Sequence, residues 1–178
     1  MERLQSIEEL EKWYENEDPW RYEQNPDDLQ RRAILLSVIP KKQYNKVLDI
    51  GCGNGFITNY LPGKKIIGID ISSRAIQFAK KKAPPHVEYF TYSIFDLPFL
   101  EWNNFFDLIV LTGVLYPQYI GNSEKLIYSL IDDLLIPNGI LISCHIEEWY
   151  FSRFPYITLH REYYTYREYV HLLEVYLK

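Results

Sequence analysis

The segment Val47–Phe56 joins an apolar strand pattern to a run of alternating glycines, Val-Leu-Asp-Ile-Gly-Cys-Gly-Asn-Gly-Phe. Glycine suits such a turn because some positions require a positive φ and others approach a ligand too closely for a Cβ atom. A helix that starts at the carboxyl end of a strand also gathers backbone N–H groups without partners. The pattern therefore predicts a ligand site. A purely structural turn would not require Asp49 directly before the glycines.

Asp70 supplies a second group of the right kind. It follows the apolar run Ile66–Ile69 and lies 19 positions after Gly51. An acidic residue at the end of the second strand, about 20 residues beyond the glycines, is placed to accept hydrogen bonds from ribose hydroxyls. The structural alternative is a carboxylate at the start of a helix near Ser72. Together the loop and the carboxylate indicate a ligand that contains adenosine.

The glycine spacing distinguishes between adenosine cofactors. Dinucleotide enzymes use G-x-G-x-x-G, in which the helix amino terminus faces a pyrophosphate. Here the spacing is G-x-G-x-G, and Phe56 stands where the last glycine of the dinucleotide motif would be. This favours a cofactor without a pyrophosphate. A nucleotide-dependent oxidoreductase is therefore the weaker alternative.

Strand and helix patterns alternate along the chain that carries these residues. Strands are predicted over 46–50, 65–69, 87–92, 106–111 and 140–145. Helices are predicted over 6–16, 28–39, 72–82 and from 122 or 123 to 134. A brief helix that ends at Leu61 and a turn at 137–139 complete the prediction. Such alternation predicts a parallel sheet with helices on both faces. Residues 156–178 fit either strands or a helix, and their Tyr, Val and Ile content favours strands.

The length suits one domain with a substantial core. We divide it into a helical N-terminal cap (1–45), a cofactor-binding core (46–145) and a C-terminal segment that completes the sheet (146–178). Residues 1–30 hold ten acidic and three basic residues, and no basic stripe is present. This argues against a nucleic-acid partner. The acidic stretch is either a solvated helix face or a lid that favours an amine-bearing acceptor.

Other function classes find no support in the composition. No apolar run approaches the roughly 20 residues that span a bilayer, and the acidic amino terminus is unlike a secretory signal, so we expect a cytoplasmic protein without a membrane partner. Cys52 and Cys144 fit no metal-ligand spacing, and both lie in apolar segments. We expect two free thiols and no metal site. The oligomeric state is not predicted.

The motifs resemble those of class I S-adenosylmethionine-dependent methyltransferases. Residues 47–55 resemble the first motif of that superfamily, and 68–72, 106–110 and 135–139 resemble later ones. The resemblance implies a Rossmann-like three-layer α/β sandwich with a mostly parallel seven-stranded sheet. It also implies S-adenosyl-L-methionine as cofactor and S-adenosyl-L-homocysteine as product. Residues 14–50 resemble more loosely the nodulation-type methyltransferases that modify an amino sugar.

The resemblance also implies a set of cofactor contacts. These are Asp49 near the methionine ammonium group, Gly51, Cys52, Gly53 and Gly55 in the loop, Asp70 at the ribose, Ile71 and Ile94 around the adenine, Ser93 at the adenine edge and Thr112 beside the methionine. Two departures stand out. Ser93 replaces an aspartate that many members use at the adenine, and Gly113 replaces a residue that is often polar or acidic.

Methyl transfer mainly requires that the acceptor be held in line with the sulfur–methyl bond. If a base is needed, His145 and Tyr116 are candidates, because both lie at carboxyl ends of predicted strands. A structural histidine and a pocket-shaping tyrosine are the alternatives. Trp20 and Tyr22 are candidate lid residues or core aromatics. Arg31 or Arg32 is a candidate partner of the methionine carboxylate, or else a solvated arginine.

We therefore predict a methyltransferase that acts on a nitrogen or oxygen atom of a small metabolite or sugar. A protein or peptide acceptor remains open, as does a regulatory protein that binds the cofactor without turnover.

Overall fold

The structure is a computed structural model that describes residues 4–19 and 21–178. Its helices are α1 (Ile7–Trp13), α2 (Pro26–Ser37), α3 (Ser73–Lys81), α4 (Pro117–Ile120) and α5 (Glu124–Leu134). Its strands are β1 (Lys46–Ile50), β2 (Lys65–Asp70), β3 (Val87–Thr91), β4 (Phe106–Thr112), β5 (Leu135–Ile146), β6 (Ile157–Tyr166) and β7 (Tyr169–Leu177). Short 3-10 turns occupy Tyr22–Gln24, Thr58–Tyr60, Ile94–Phe99 and Glu147–Trp149.

The seven strands form one sheet in the order β3-β2-β1-β4-β5-β7-β6. Strands β1 to β5 pair in parallel, whereas β7 is antiparallel to both β5 and β6. The direction of strand progression reverses between β1 and β4, which is where ligands bind in open α/β sheets. This is the predicted Rossmann-like arrangement, and the C-terminal residues form strands as the sequence favoured.

Each face of the sheet covers a separate apolar core. Val47, Ile66 and Leu108 point to the side that α2 and α3 cover. Their neighbours Leu48 and Ile109 point to the opposite side, against α5 and the 3-10 turn Ile94–Phe99. Because successive side chains of a strand alternate between faces, burial on both sides requires the continuous apolar runs seen in the sequence.

The predicted N-terminal cap consists of α1 and α2. Ser6 and Glu9 form the expected capping box at the start of α1. Helix α2 begins at Pro26, two residues before the predicted start, because the side chain of Asn25 accepts a hydrogen bond from the backbone N–H of Asp27.

The structure corrects two local predictions. The glycine loop leads into a single 3-10 turn, Thr58–Tyr60, and not into a brief helix that ends at Leu61. The turn predicted at residues 137–139 lies inside β5, whose pairing with β4 jumps from Leu135 to Ile140. Asn138 takes a positive φ of 60° there, a conformation that asparagine tolerates better than most residues. Strand β5 therefore starts at Leu135, before the apolar run from Ile140 that predicted it.

The carboxylate of Asp107 joins the start of β1 to β4. Its two oxygens accept hydrogen bonds from the backbone N–H groups of Asn45 and Lys46, at 2.7 and 3.1 Å. We expect Asp107→Ala to lower the free energy of unfolding by about 1–3 kcal/mol, because both donors lose their partner. Urea unfolding measures this change. The exposed Asp133→Ala is the control, and an equal effect in both variants would contradict the assignment.

Candidate functional site

A cavity of about 360 Å³ lies at the carboxyl ends of β1, β2 and β4, beneath α1. This volume is within the usual range for small-molecule pockets. The residues that line it come from α1 and the two segments beside it, from the glycine loop and from the loops after β2, β3 and β4: Gln5, Leu10, Trp13, Tyr14, Tyr22, Arg31, Asp49–Asn54, Phe56, Ile57, Asp70, Ile71, Tyr92–Phe95, Thr112–Val114, Tyr119 and Ile120. Nine of the ten predicted cofactor residues are in this set.

The glycine loop needs its glycines for two reasons. Gly51 and Gly53 take positive φ values of 77° and 54°. A Cβ atom at Gly51 would lie 2.3 Å from Cγ2 of Val114, and one at Gly53 would lie 2.9 Å from the hydroxyl oxygen of Tyr14. Both positions therefore exclude a side chain on conformational and steric grounds. The tenth predicted residue, Gly55, does not line the cavity and packs beneath Tyr89 instead.

Asp70 lies at the end of β2 and faces the loop. Its carboxylate accepts hydrogen bonds from the backbone N–H groups of Gly53 and Ser72, each at 2.9 Å. Burial raises the pKa of this carboxyl group, and these hydrogen bonds oppose the shift. An ionised carboxylate offers about four acceptor positions. Acceptor capacity therefore remains for a ligand in the cavity.

Asp49 is buried at the end of β1, with an exposed fraction of 1%. One of its carboxylate oxygens accepts a hydrogen bond of 2.7 Å from the hydroxyl of Thr58. The other oxygen is buried and has no partner among the described residues. Burial raises the pKa of this group to about 7, and the Thr58 bond partly opposes the shift. A buried acceptor without a partner is suited to a cationic donor such as an ammonium group.

The wall after β3 is apolar with one polar edge. Ser93, Ile94 and Phe95 line the cavity there, and Ile71, which follows β2, also lines it. The backbone N–H of Ser93 donates to the carboxylate of Asp96 at 2.8 Å. Asp96 therefore orders its own turn, and the apolar surface beside Ser93 suits an adenine ring.

Helix α1 closes the cavity from above. The helix presents Leu10 and Trp13 to the cavity, and Tyr14 follows directly after it; Tyr14 is buried, whereas no residue of α1 itself is. Its anchor is Glu11, whose carboxylate accepts hydrogen bonds from the backbone N–H groups of Ser73 and Arg74, at 2.7 and 3.3 Å. This carboxylate satisfies the free N–H groups at the start of α3. Polar contacts at its edge therefore hold the lid.

The two adjacent arginines of α2 have different roles. Arg32 donates to the carbonyl oxygen of Phe56 at 3.1 Å and lies over the rings of Phe56 and Tyr60. Arg31 instead lines the cavity, and its Nε is buried without a hydrogen-bond partner among the described residues. Of the two candidates for a carboxylate partner, only Arg31 reaches the cavity.

Of the two candidate lid residues, Trp20 and Tyr22, the structure describes only Tyr22. Trp20 lies outside the described residues. Tyr22 lines the cavity and stacks on Phe56, with ring centroids 5.0 Å apart. It therefore forms part of the wall as an aromatic packed against the glycine loop.

The structure does not bring the two candidate bases to the cavity. His145 is buried on the α5 side of the sheet against the ring of Tyr150, and burial lowers its pKa to about 4. The hydroxyl of Tyr116 accepts a hydrogen bond from the backbone N–H of Ile146, and burial raises its pKa. Neither residue is among those that line the cavity. The placement of His145 supports the structural alternative, whereas Tyr116 does not line the cavity that it was expected to shape.

Several cavity residues were not recognised in the sequence. They are Gln5, Leu10, Trp13 and Tyr14 on the lid side, Phe95 beside the adenine wall, and Tyr119 after β4. The apolar side of α1 was visible in the sequence, but its partner surface was not. No spacing rule places a short N-terminal helix over a particular sheet edge.

Comparison with known proteins assigns the family. A family model described as a methyltransferase domain matches residues 41–170. The chain belongs to this methyltransferase family. Nodulation protein S of Rhizobium tropici is 28% identical over 133 residues, which are 71% of this chain and 54% of that protein. The trans-aconitate 2-methyltransferase of Paracidovorax citrulli is 31% identical over 133 residues, which are 70% of this chain and 48% of that protein.

A solved structure with the same fold carries the cofactor product. The N-methyltransferase NodS from Bradyrhizobium japonicum WM9, in complex with S-adenosyl-L-homocysteine, matches with a TM-score of 0.78 and 24% identity over 97% of both chains. These findings confirm the predicted superfamily, its fold and S-adenosyl-L-methionine as the cofactor of the family. The methyltransferase chain spans about half the length of the two relatives described above.

The described part of the chain contains neither a cluster of potential metal ligands nor a membrane-spanning helix. Within residues 4–19 and 21–178, no group of three or more His, Cys, Asp or Glu side chains is placed to hold a metal ion. No helix in these ranges is both long enough and apolar enough to cross a bilayer. Cys52 and Cys144 are free, buried thiols.

We expect Asp70→Asn to weaken the binding of S-adenosyl-L-homocysteine by about tenfold to a hundredfold, because hydrogen bonds to a charged group contribute about 1.5–3 kcal/mol. Calorimetric titration measures the affinity. Asp133→Asn on the exposed side of α5 is the control. Equal affinities of wild type and Asp70→Asn would remove Asp70 from the ribose site.

Asp49 predicts a pH dependence with a defined sign. Its folded pKa of about 7 exceeds the ordinary value of 3.8, so the folded state holds the proton more tightly. Its contribution to stability therefore falls as pH rises between these values and is constant above about 7. An ammonium partner requires the ionised form, so affinity for S-adenosyl-L-homocysteine should rise with pH up to about 7.

The Asp49→Asn variant isolates this effect. Calorimetric titrations and urea unfolding from about pH 5 to pH 8 compare it with wild type. Both pH dependences attributed to Asp49 should vanish in the variant. Parallel pH profiles of the two proteins would contradict the assignment.

Proposed function

We propose that the chain binds S-adenosyl-L-methionine in this cavity and transfers its methyl group to a nitrogen atom of a small molecule. The observation that carries the proposal is the unpaired buried oxygen of Asp49 beside the glycine loop, with Asp70 at the adjoining strand end. These groups fit the ammonium and ribose ends of one adenosyl ligand. When bound, the cofactor supplies an activated methyl group on a sulfonium.

The residues of the chain act mainly by positioning. Asp49 and Arg31 face the cavity with opposite charges, which suits the ammonium and carboxylate of an amino-acid group. Ile71 and Ile94 provide apolar surface for the base, and α1 limits access of water. Holding two reactants in a productive orientation can remove about 7–11 kcal/mol from a barrier.

The cavity offers no residue that is suited to act as a base. Among the described residues, no His, Lys or Glu side chain lines it, and its two aspartates are used for the cofactor. Burial raises the pKa of Tyr14 and Tyr119, which makes both hydroxyls poor bases at neutral pH. An alcohol would need such a base. The acceptor should therefore be a neutral amine or a group that is already ionised, such as a carboxylate.

Charge near the entrance favours the amine. The exposed residues of α1 and the segment that follows it include Glu8, Glu9 and Glu15, with Lys12 as the nearest base in the helix. A negative surface attracts cations and repels carboxylates within a Debye length of about 8–10 Å. The two relatives described above are a nodulation protein and a methyltransferase of trans-aconitate. Because the lid is acidic, it favours an amine nitrogen over a carboxylate oxygen as the acceptor atom.

An acceptor panel tests this proposal. We expect the protein to release S-adenosyl-L-homocysteine from S-adenosyl-L-methionine with small amines and amino sugars, and not with alcohols. Chromatography of the product measures turnover. Binding of cofactor without turnover on any acceptor would favour the regulatory alternative.

The pH profile provides a second test. Without an enzymatic base, kcat/KM should rise with pH up to the pKa of the acceptor amine, because only the unprotonated amine attacks. Two amines whose pKa values differ by about two units should shift the break by the same amount. His145→Gln should leave the profile unchanged. A break that stays fixed for both amines, and is lost in His145→Gln, would restore His145 as the base.

A further inference from the structure

A buried ionic cluster connects α2 to the hairpin formed by β6 and β7. At its centre is Asp28, whose side chain is fully buried. The hydroxyl of Tyr166 donates to Oδ1 of Asp28, and Nη2 of Arg167 lies 3.4 Å from Oδ2. Nη2 of Arg31 lies 3.8 Å from Oδ1. One carboxylate therefore ties two hairpin residues to an arginine that lines the cofactor cavity.

Two aromatic rings, those of Tyr22 and Tyr166, also hold the guanidinium group of Arg31. Its guanidinium carbon lies 5.4 Å from the centroid of the Tyr22 ring and 5.0 Å from that of Tyr166. Such placement over aromatic faces is favourable for a guanidinium. Tyr22 also stacks on Phe56. The side chains of Tyr166, Arg31, Tyr22 and Phe56 therefore form a continuous stack from the β6–β7 hairpin to the glycine loop. Arg31 has little freedom to turn away from the cavity.

A carboxylate buried in this way is costly unless it is paired and hydrogen-bonded. Asp28 lies in the first turn of α2, where an exposed acidic residue would serve equally well to interact with the helix dipole. The Asp28 side chain is instead buried, and its partners are Tyr166, Arg167 and Arg31. Nε of Arg31 keeps no partner within the described chain. The guanidinium thus retains a donor for a ligand.

We propose that Asp28 and Tyr166 are positioning residues that hold Arg31 in place to bind the carboxylate of the cofactor. The β6–β7 hairpin then becomes part of the cofactor site, although none of its residues lines the cavity. This inference rests on the proposed function, because it requires the methionine group of the cofactor to lie beside Arg31. It adds a dependence of cofactor binding on a segment near the C-terminal end.

Two ligands separate positioning from simple folding. S-Adenosyl-L-homocysteine carries the carboxylate, whereas 5′-methylthioadenosine has the same nucleoside and no amino-acid group. We expect Tyr166→Phe and Asp28→Asn to weaken S-adenosyl-L-homocysteine by about threefold to tenfold and to leave 5′-methylthioadenosine unchanged. Arg31→Gln should weaken the first ligand by about tenfold or more, as expected for a lost charge-assisted hydrogen bond. Calorimetric titration gives each affinity.

Matched variants of the same elements serve as controls. Tyr163→Phe removes a hydroxyl from the same strand at an exposed position. Asp27→Asn removes an exposed carboxylate next to Asp28. Both variants should bind both ligands as wild type does. Circular dichroism and thermal unfolding establish that each protein is folded at the temperature of the titration.

The outcomes distinguish the inference from the function on which it rests. If Asp28→Asn and Tyr166→Phe weaken both ligands by the same factor, or neither, the cluster is structural and the inference is wrong. If Arg31→Gln binds S-adenosyl-L-homocysteine as wild type does, Arg31 is not its carboxylate partner and the inference is also wrong. If folded wild-type protein binds neither ligand, the proposed function itself fails.

Discussion

The site depends on how the carboxylate of Asp70 is held. It receives backbone N–H groups from Gly53 in the glycine loop and from Ser72 at the start of α3. The end of β2, the glycine loop and the start of α3 therefore meet at one carboxylate. Because burial of an ionised carboxylate without partners is costly, the loop and the helix start must adopt the positions that supply these donors. The cavity is the space that this arrangement leaves open.

A second carboxylate extends the same network to the lid. The hydroxyl of Ser72 donates to Glu11, whose other contacts are with the start of α3. The anchoring of α1 and the orientation of the Asp70 carboxylate thus share one serine. This sharing explains how a helix of seven residues, without a buried residue of its own, is held over the cavity. The contacts of the lid and those of the cavity floor therefore meet at Ser72.

The cavity combines strong cofactor features with sparse acceptor chemistry. Asp49, Asp70 and Arg31 face it with charges suited to the ends of an adenosyl amino acid, but no further Asp, Glu, His, Lys or Arg side chain among the described residues does so. Such a site depends on the intrinsic reactivity of cofactor and acceptor, and the protein contributes orientation and exclusion of water. Selection among acceptors then falls to the lid, to Tyr119 and to the open space at Gly113, where a Cβ atom would meet nothing within 4 Å.

The sequence by itself determined the central sheet and the floor of the site. The apolar runs of β1, β2 and β4, the glycines at 51 and 53 and the carboxylate at 70 are local patterns, and their periods and spacing are dictated by strand geometry and by a tight turn. Only the tertiary structure decided that Arg31, and not Arg32, reaches the cavity, since adjacent helical residues point about 100° apart. It likewise turned His145 into the α5-side core and brought Tyr166 to Asp28. The second of these contacts joins residues 138 positions apart, which no short-range pattern encodes.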